Sequence, residues 1–154
     1  NGLKRETANL KEIARSVTLF FEKKYGDKGV ALLVKGHPVT VSIDIKRMKS
    51  VLSNLLANSL THTPSGGSVE ILLERKNHQA ILHVTDTGRG IPPEDLPYIF
   101  ERFYRADKSR TRATGGAGIG LAIVREIIHA HGGEVDADST DGKGTTITIR
   151  LPLK

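Results

Sequence analysis

The stretch Ser68–Asp86, SVEILLERKNHQAILHVTD, alternates apolar and polar side chains on both sides of Lys76-Asn77-His78. Period-two alternation is the mark of a half-buried strand, and a polar break at its centre folds it into a hairpin. A second strand pair, GEVDADST and GTTITIRLPL, turns around Asp141-Gly142. Two hairpins in one short chain exclude the strict strand–helix alternation of a doubly wound parallel sheet. The remaining segments read as follows. An amphipathic helix covers Thr7–Tyr25, with Leu10, Ile13, Ala14, Val17, Phe20 and Phe21 at spacings of three and four, stopped by Gly26. Val30–Val34 and Val39–Ile43 are short strands, and Asp44 caps a helix that runs to about His62. Thr63–Gly67 is a turn, EDLPYIFERFY a short helical patch, and RADKSRTRATGG a long polar loop. A last helix, from about Gly118 to Ala130, ends at Gly132-Gly133. The order predicts an α/β fold: a two-layer sandwich with a mixed, mostly antiparallel sheet of about five strands against three main helices.

The 154 residues fit one domain, 1–154, with enough chain for a hydrophobic core. No cysteine is present, which excludes a disulfide scaffold, a thiolate metal site and a cysteine nucleophile. The longest apolar run, Ala117–Val124, is too short to span a bilayer, and the chain does not open on a secretory signal. Residue 1 is Asn, so a piece of a longer polypeptide is expected. The 23 Lys and Arg against 17 Asp and Glu leave a net charge of +6, which favours anionic partners: nucleotide, nucleic acid or acidic protein surfaces. Four Phe, three Tyr and no Trp offer few stacking platforms, which weakens single-strand binding.

The helix DIKRMKSVLSNLLANSLTHT buries Met48, Val51, Leu52, Leu55 and Leu56 as one stripe. Arg47, Ser50, Asn54, Asn58 and Thr61 share the adjoining face, so Asn54 and Asn58 stack one turn apart. Asn is a mediocre helix former, and two of them mid-helix need a use. A carboxamide oxygen can hold Mg²⁺ without repelling phosphate, although two solvated amides explain the pattern as well. The loop VTDTGRGIPPED leaves its strand at Asp86 and turns through Gly88 and Gly90. A fixed carboxylate there can accept an adenine amine, and ordinary turn chemistry is the alternative. Gly115, Gly116, Gly118 and Gly120 crowd the start of the last helix, where exposed N–H groups and the dipole favour phosphate. Arg102, Arg105, Lys108, Arg110 and Arg112 lie just upstream, as in a mobile cationic lid. GAGIGLA lacks the third glycine of a dinucleotide fingerprint and follows a loop, and no Gly-Lys-Ser/Thr is present for a P-loop.

Taken in order, NLLANSLTHTP, DTGRGIP, IFERFYRAD, GGAGIGLAIV and GKGTTITIRLP resemble the ATP-binding catalytic domain of bacterial sensor histidine kinases. That domain belongs to the superfamily of gyrase, the heat-shock chaperone and the mismatch-repair ATPase, and the likeness runs from about Leu10 to Leu153. It implies ATP and Mg²⁺ as ligands. Asn58 would hold the metal, with Asn54 assisting near the phosphates. His62 would lie beside the nucleotide, and Asp86 would accept from the adenine amine, with Gly88, Gly90 and Ile91 around it. Phe100, Phe103 and Tyr104 would anchor the lid, and Tyr104 would also lie against the nucleotide. Arg105 would touch phosphate. Gly116, Gly118, Gly120 and Leu121 would wrap the triphosphate, and Gly142, Gly144 and Thr145 match the last glycine box. Asn54, Asn58 and Arg105 would be the catalytic set.

The sequence departs from that pattern at Thr61, where the family has Lys or Arg, and at Ala117, where Thr or Ser is common; the lid arginines are expected to compensate. The phosphoacceptor histidine of the family lies on a separate helical dimerisation domain, and none of His37, His62, His78, His83, His129 and His131 has its context. His129 and His131 read as dipole-facing surface residues. The resemblance therefore implies donation of the γ-phosphoryl group to a histidine elsewhere in the parent protein and, indirectly, to a response regulator. Hydrolytic relatives carry a Glu where Asn54 stands, and an amide is no general base at neutral pH. A cytoplasmic domain is implied, on a parent anchored in the bacterial inner membrane, and the piece alone is expected to be monomeric without nucleic acid as partner. The alternative is a non-catalytic nucleotide-sensing or interaction module.

Overall fold

The computed structural model describes residues 2–102 and 117–153, with 117–120 as backbone. The elements run β1 (Glu6–Asn9), α1 (Leu10–Lys28), β2 (Ala31–Gly36), β3 (Thr40–Ile43), α2 (Ile45–His62), β4 (Ser68–Lys76), β5 (Gln79–Asp86), a 3-10 turn (Leu96–Tyr98), α3 (Ala117–Ala130), β6 (Glu134–Thr140) and β7 (Gly144–Pro152). Five strands form one sheet in the order β2-β4-β5-β7-β6. Only the β2–β4 pair is parallel. The three helices cover one face, so the architecture is the expected two-layer sandwich.

Alternation sets which side chains meet the helices. Val69, Ile71 and Leu73 of β4, Ala80, Leu82 and Val84 of β5, and Ile147, Ile149 and Leu151 of β7 are all buried. They pack against Leu10, Ile13, Val17 and Phe21 of α1, the Met48–Leu56 stripe of α2, and Val124 and Ile128 of α3 in one core cluster. The other face of the sheet stays partly wet and pairs its polar groups across strands: Thr85 with Thr146, and His83 with both Thr148 and Glu74. The β4–β5 hairpin turns at Asn77 and His78, both with positive φ (52° and 60°), the signature of a type I′ turn.

Local expectations shifted where distant segments intervene. Glu6–Asn9 is not helical; it pairs antiparallel with Thr40–Ile43 as a separate two-stranded ribbon, which also takes β3 out of the main sheet. The helix therefore starts at Leu10, where the Asn9 side chain accepts from the Lys11 and Glu12 N–H groups. It does not stop at Gly26, but continues to Lys28 and ends on a left-handed C-cap at Gly29. The patch EDLPYIFERFY shows only a 3-10 turn in its described part. His131 is no surface residue. It is 2% exposed, donates from Nδ1 to the Ile127 carbonyl (2.9 Å), and accepts the Asp44 N–H at Nε2 (3.0 Å). The end of α3 is thereby tied to the cap of α2.

Asp44 caps α2 through Arg47 N–H and also takes the Lys4 N–H, and these two donors hold its carboxyl below the usual carboxylate range. A depressed pKa contributes stability above the unfolded pKa and loses it as pH falls through the folded one. Asp44→Ala should therefore lower the melting temperature at neutral pH. The gap from the unsubstituted protein should narrow as pH drops below the ordinary carboxylate range, as thermal melts over pH would check.

Candidate functional site

The apolar stripe of α2 turns polar in its last two turns. Met48, Val51, Leu52, Leu55 and Leu56 are buried as expected, and the same face continues through Ser59 (4% exposed) and Thr63 (fully buried). The inward row of β5 changes in the same way. Ala80, Leu82 and Val84 are followed, two residues on, by Asp86 (7% exposed). Its register partner on β7 is Thr145, also inward and buried. Three elements thus bring their polar ends to one corner of the core.

Asp86 Oδ1 accepts from Gly88 N–H (2.9 Å) and from Thr145 N–H (3.3 Å). Burial raises the Asp86 pKa, while the hydrogen bonds from these two amides pull against it. Tyr25 of α1 closes the corner, donating to the Leu56 carbonyl at 2.6 Å. Its own pKa is raised, first by burial and then by the Asp86 charge.

The loop after β5 is clamped between α2 and the last hairpin. Arg89 N–H donates to the His62 carbonyl, and an Arg89 guanidinium nitrogen meets His62 Nδ1 at 3.2 Å. A Cβ at Gly88 would strike that His62 carbonyl, so only glycine permits the approach. On the other side Gly90 lies against Thr140, and Ile91 N–H donates to Ser139 Oγ (2.7 Å). Ser139 Oγ in turn bonds Thr145 Oγ1 and the Gly144 carbonyl.

Asn58 stands beside Ser59, and its Oδ1 is buried without a hydrogen-bond partner among the described residues. A buried amide oxygen left without a partner costs about 1–3 kcal/mol, so this oxygen is a candidate to meet a group that the described residues do not supply. Asn54, one turn earlier, is half-buried. Thr61 does not reach outward; its Oγ1 donates back to the Ala57 carbonyl.

His62, Asp86, Gly88, Gly90, Ile91 and Thr145 are therefore joined through the end of α2, the β5 loop and the last hairpin, while Asn58 lies one turn before His62 on α2 with no hydrogen bond to them among the described residues. Gly118 and Gly120 fall in the first turn of α3 rather than in a loop before it. Leu121 is 4% exposed and belongs to the core. Phe100 packs on the core, and Arg102 pairs with Glu126 of α3. Phe103, Tyr104, Arg105, Lys108, Arg110, Arg112, Gly115 and Gly116 lie outside the described residues. The burial of Ser59 at this corner was not foreseen. Its signal was present: a hydroxyl occupying the next stripe position after Leu55 and Leu56.

Residues 43–154 match the family model described as histidine kinase-, DNA gyrase B-, and HSP90-like ATPase. The sensor histidine kinase WalK of Bacillus subtilis (strain 168) is 47% identical over 116 residues, 74% of this chain. The chain spans 19% of the length of the curated relatives it matches. Among solved structures, full-length ShkA in complex with AMPPNP superposes with a TM-score of 0.86 at 26% identity, over 99% of this chain and 32% of that one. The histidine kinase ThkA, in complex with the response regulator TrrA, gives 0.81 at 27% identity, over 97% of this chain and 42% of that one.

Proposed function

The chain belongs to the histidine kinase-, DNA gyrase B- and HSP90-like ATPase family, and from that premise we propose that it binds ATP with Mg²⁺ and donates the γ-phosphoryl group to a histidine on a separate dimerisation domain in two-component signalling. The observation that carries this reading is the Asn58 oxygen, buried, neutral and unpartnered among the described residues. Mg²⁺ binds through one or two protein oxygens plus substrate phosphates, so a single carboxamide beside a polyphosphate fits that ion. The metal would neutralise charge on the phosphates. Asp86 would accept the adenine amine, since its Oδ1 is taken by two amides and acceptor capacity is left on the other oxygen. The first turn of α3 would offer N–H groups to phosphate, and the arginines upstream of it would add charge.

Transfer to protein is favoured over hydrolysis because Asn54 cannot take a proton from water at neutral pH. The acceptor would come from another domain. His131 and His83 have both ring nitrogens engaged within the fold. Partners of ShkA and ThkA, a nucleotide analogue and a response regulator, support ATP as substrate and a regulator as final recipient. Among the described residues no helix is long and apolar enough to cross a membrane; an anchor in the inner membrane would belong to the rest of the parent protein, with this domain in the cytoplasm. One observation favours a second reading, a nucleotide-sensing module without transfer: Thr61 offers no charge to phosphate and is bonded to its own helix.

Titration with ATP and Mg²⁺, followed by mixing with a protein bearing the acceptor helices, tests both readings. Phosphohistidine formation is expected. Binding without transfer would leave only the sensor, and brisk ATP hydrolysis by the domain alone would overturn the assignment of Asn54. A pH series adds a second expectation. Burial raises the Asp86 pKa, and only its ionised form accepts an amine while its neighbours donate to it. ATP affinity should fall about tenfold per pH unit once the pH drops below that pKa, and the decline should begin above the ordinary carboxylate range. An affinity flat down to that range would remove Asp86 from base recognition.

A further inference from the structure

We propose that Arg89 is a phosphate-binding residue, its guanidinium anchored on His62 at the end of α2 so that it supplies, one turn from Asn58, the positive charge that Thr61 does not. This rests on the nucleotide reading above and adds to it a residue with no role there.

The main chain fixes where the Arg89 side chain starts. Arg89 N–H donates to the His62 carbonyl (3.3 Å), and the Arg89 carbonyl accepts the Gly142 N–H from the last hairpin. Gly88 and Gly90, on either side, lie too close to the His62 and Thr140 carbonyls to admit a Cβ. Backbone contacts thus hold the loop, and the exposed Arg89 side chain is not required for them. That side chain is nevertheless placed: a guanidinium nitrogen meets His62 Nδ1 at 3.2 Å.

A guanidinium only donates, so His62 Nδ1 is the acceptor and carries no proton. The partner of Arg89 is therefore a neutral ring. Elsewhere the fold pairs its cations with acids: Lys23 with Asp27, Lys35 with Glu70, Arg102 with Glu126 and Arg150 with Asp136. No carboxylate among the described residues forms an ion pair with Arg89. Its charge stays uncancelled, with N–H donors to spare.

His62 follows Asn58 by one helical turn, about 5–6 Å between Cβ atoms on one face. The guanidinium therefore stands near the Asn58 oxygen that has no partner among the described residues. Thr61 adds no charge there, since its Oγ1 donates to the Ala57 carbonyl. The last carbonyls of α2 already have a cation, because Lys28 Nζ donates to Leu60 and Thr61. Capping the helix end thus leaves Arg89 without a task. A neutral oxygen for a metal ion and a guanidinium for phosphate oxygens, one turn apart, are what a metal-bound polyphosphate needs.

The test uses Arg89→Met, which removes the charge and keeps a long stem, with Arg89→Lys as the conservative variant. Calorimetry measures affinity for ATP with Mg²⁺ and for adenosine, which has the base and no phosphate, at low and high salt. Thermal melts are run beside it. In Arg89→Met, ATP affinity should fall about tenfold, the loss of one hydrogen bond to a charged group, while adenosine affinity and the melting temperature hold. ATP binding by this variant should also depend less on salt. Arg89→Lys should keep most of the ATP affinity. Equal losses for ATP and adenosine overturn the proposal and make Arg89 a support of the loop. Unchanged ATP affinity or an unaltered salt dependence in Arg89→Met overturns it as well. These failures leave the nucleotide reading standing, whereas an unsubstituted protein that binds neither ligand discards that reading and the proposal with it.

Discussion

Asn58→Ala is expected to reduce Mg²⁺-dependent phosphotransfer about 100-fold, the upper end of what loss of a group supporting a bound metal costs, while the melting temperature holds or rises. The combination is the informative part. A residue that stabilises a fold lowers both numbers when it is removed. Asn58 Oδ1 is buried and makes no hydrogen bond among the described residues, so the ligand-free protein carries it at a cost of about 1–3 kcal/mol. Alanine removes that cost and is the better helix former by up to about 0.7 kcal/mol. Calorimetry of the ligand-free protein and a phosphotransfer assay settle the matter together. A melting temperature lower by several degrees would make Asn58 a structural residue with an unseen partner.

Gly144→Ala should damage fold and site at once. Gly144 has φ +113°, and a Cβ there would land on the Asp86 carbonyl oxygen. The strained backbone and the collision together should cost about 3 kcal/mol, a fall of about 6–12 °C in melting temperature for a chain of this size. The position next to it matters as much. Thr145 N–H is one of the two amides on Asp86 Oδ1, so any shift of β7 that relieves the collision loosens that carboxylate. ATP affinity should drop even well below the melting temperature. Gly26→Ala is the control: Gly26 sits inside α1 with open space where a Cβ would go, and the change should be neutral or stabilising. Equal losses in the two variants would show that backbone freedom, not contact with Asp86, governs the response.

Much of the candidate site was legible because its residues are marked by local chemistry. Asn54 and Asn58 break an otherwise regular helix face, and Asp86 with Gly88 and Gly90 ends a strand in a way that turn chemistry alone need not require. Thr145 follows a glycine at the start of a strand. What stayed hidden was the side chain that looks ordinary in sequence. Ser59 has nothing unusual beside it, and only the packing of α2 into the core buries its hydroxyl. His131 was misjudged for the same reason. Closing a helix, it has the look of a surface residue, but β3 ends at Asp44's doorstep and supplies an N–H for its ring.

The fold divides along the same line. The two hairpins, the cap at Asp44, the span of α2 and the inward parity that delivers Asp86 to the core are properties of near neighbours, and spacing alone determined them. The pairing of Glu6–Asn9 with Thr40–Ile43, the run of α1 past Gly26 and the burial of His131 were decided by the tertiary structure. Each needs a partner far along the chain, such as the 87 residues between Asp44 and His131, and no periodicity within one segment encodes which distant segment will come to meet it.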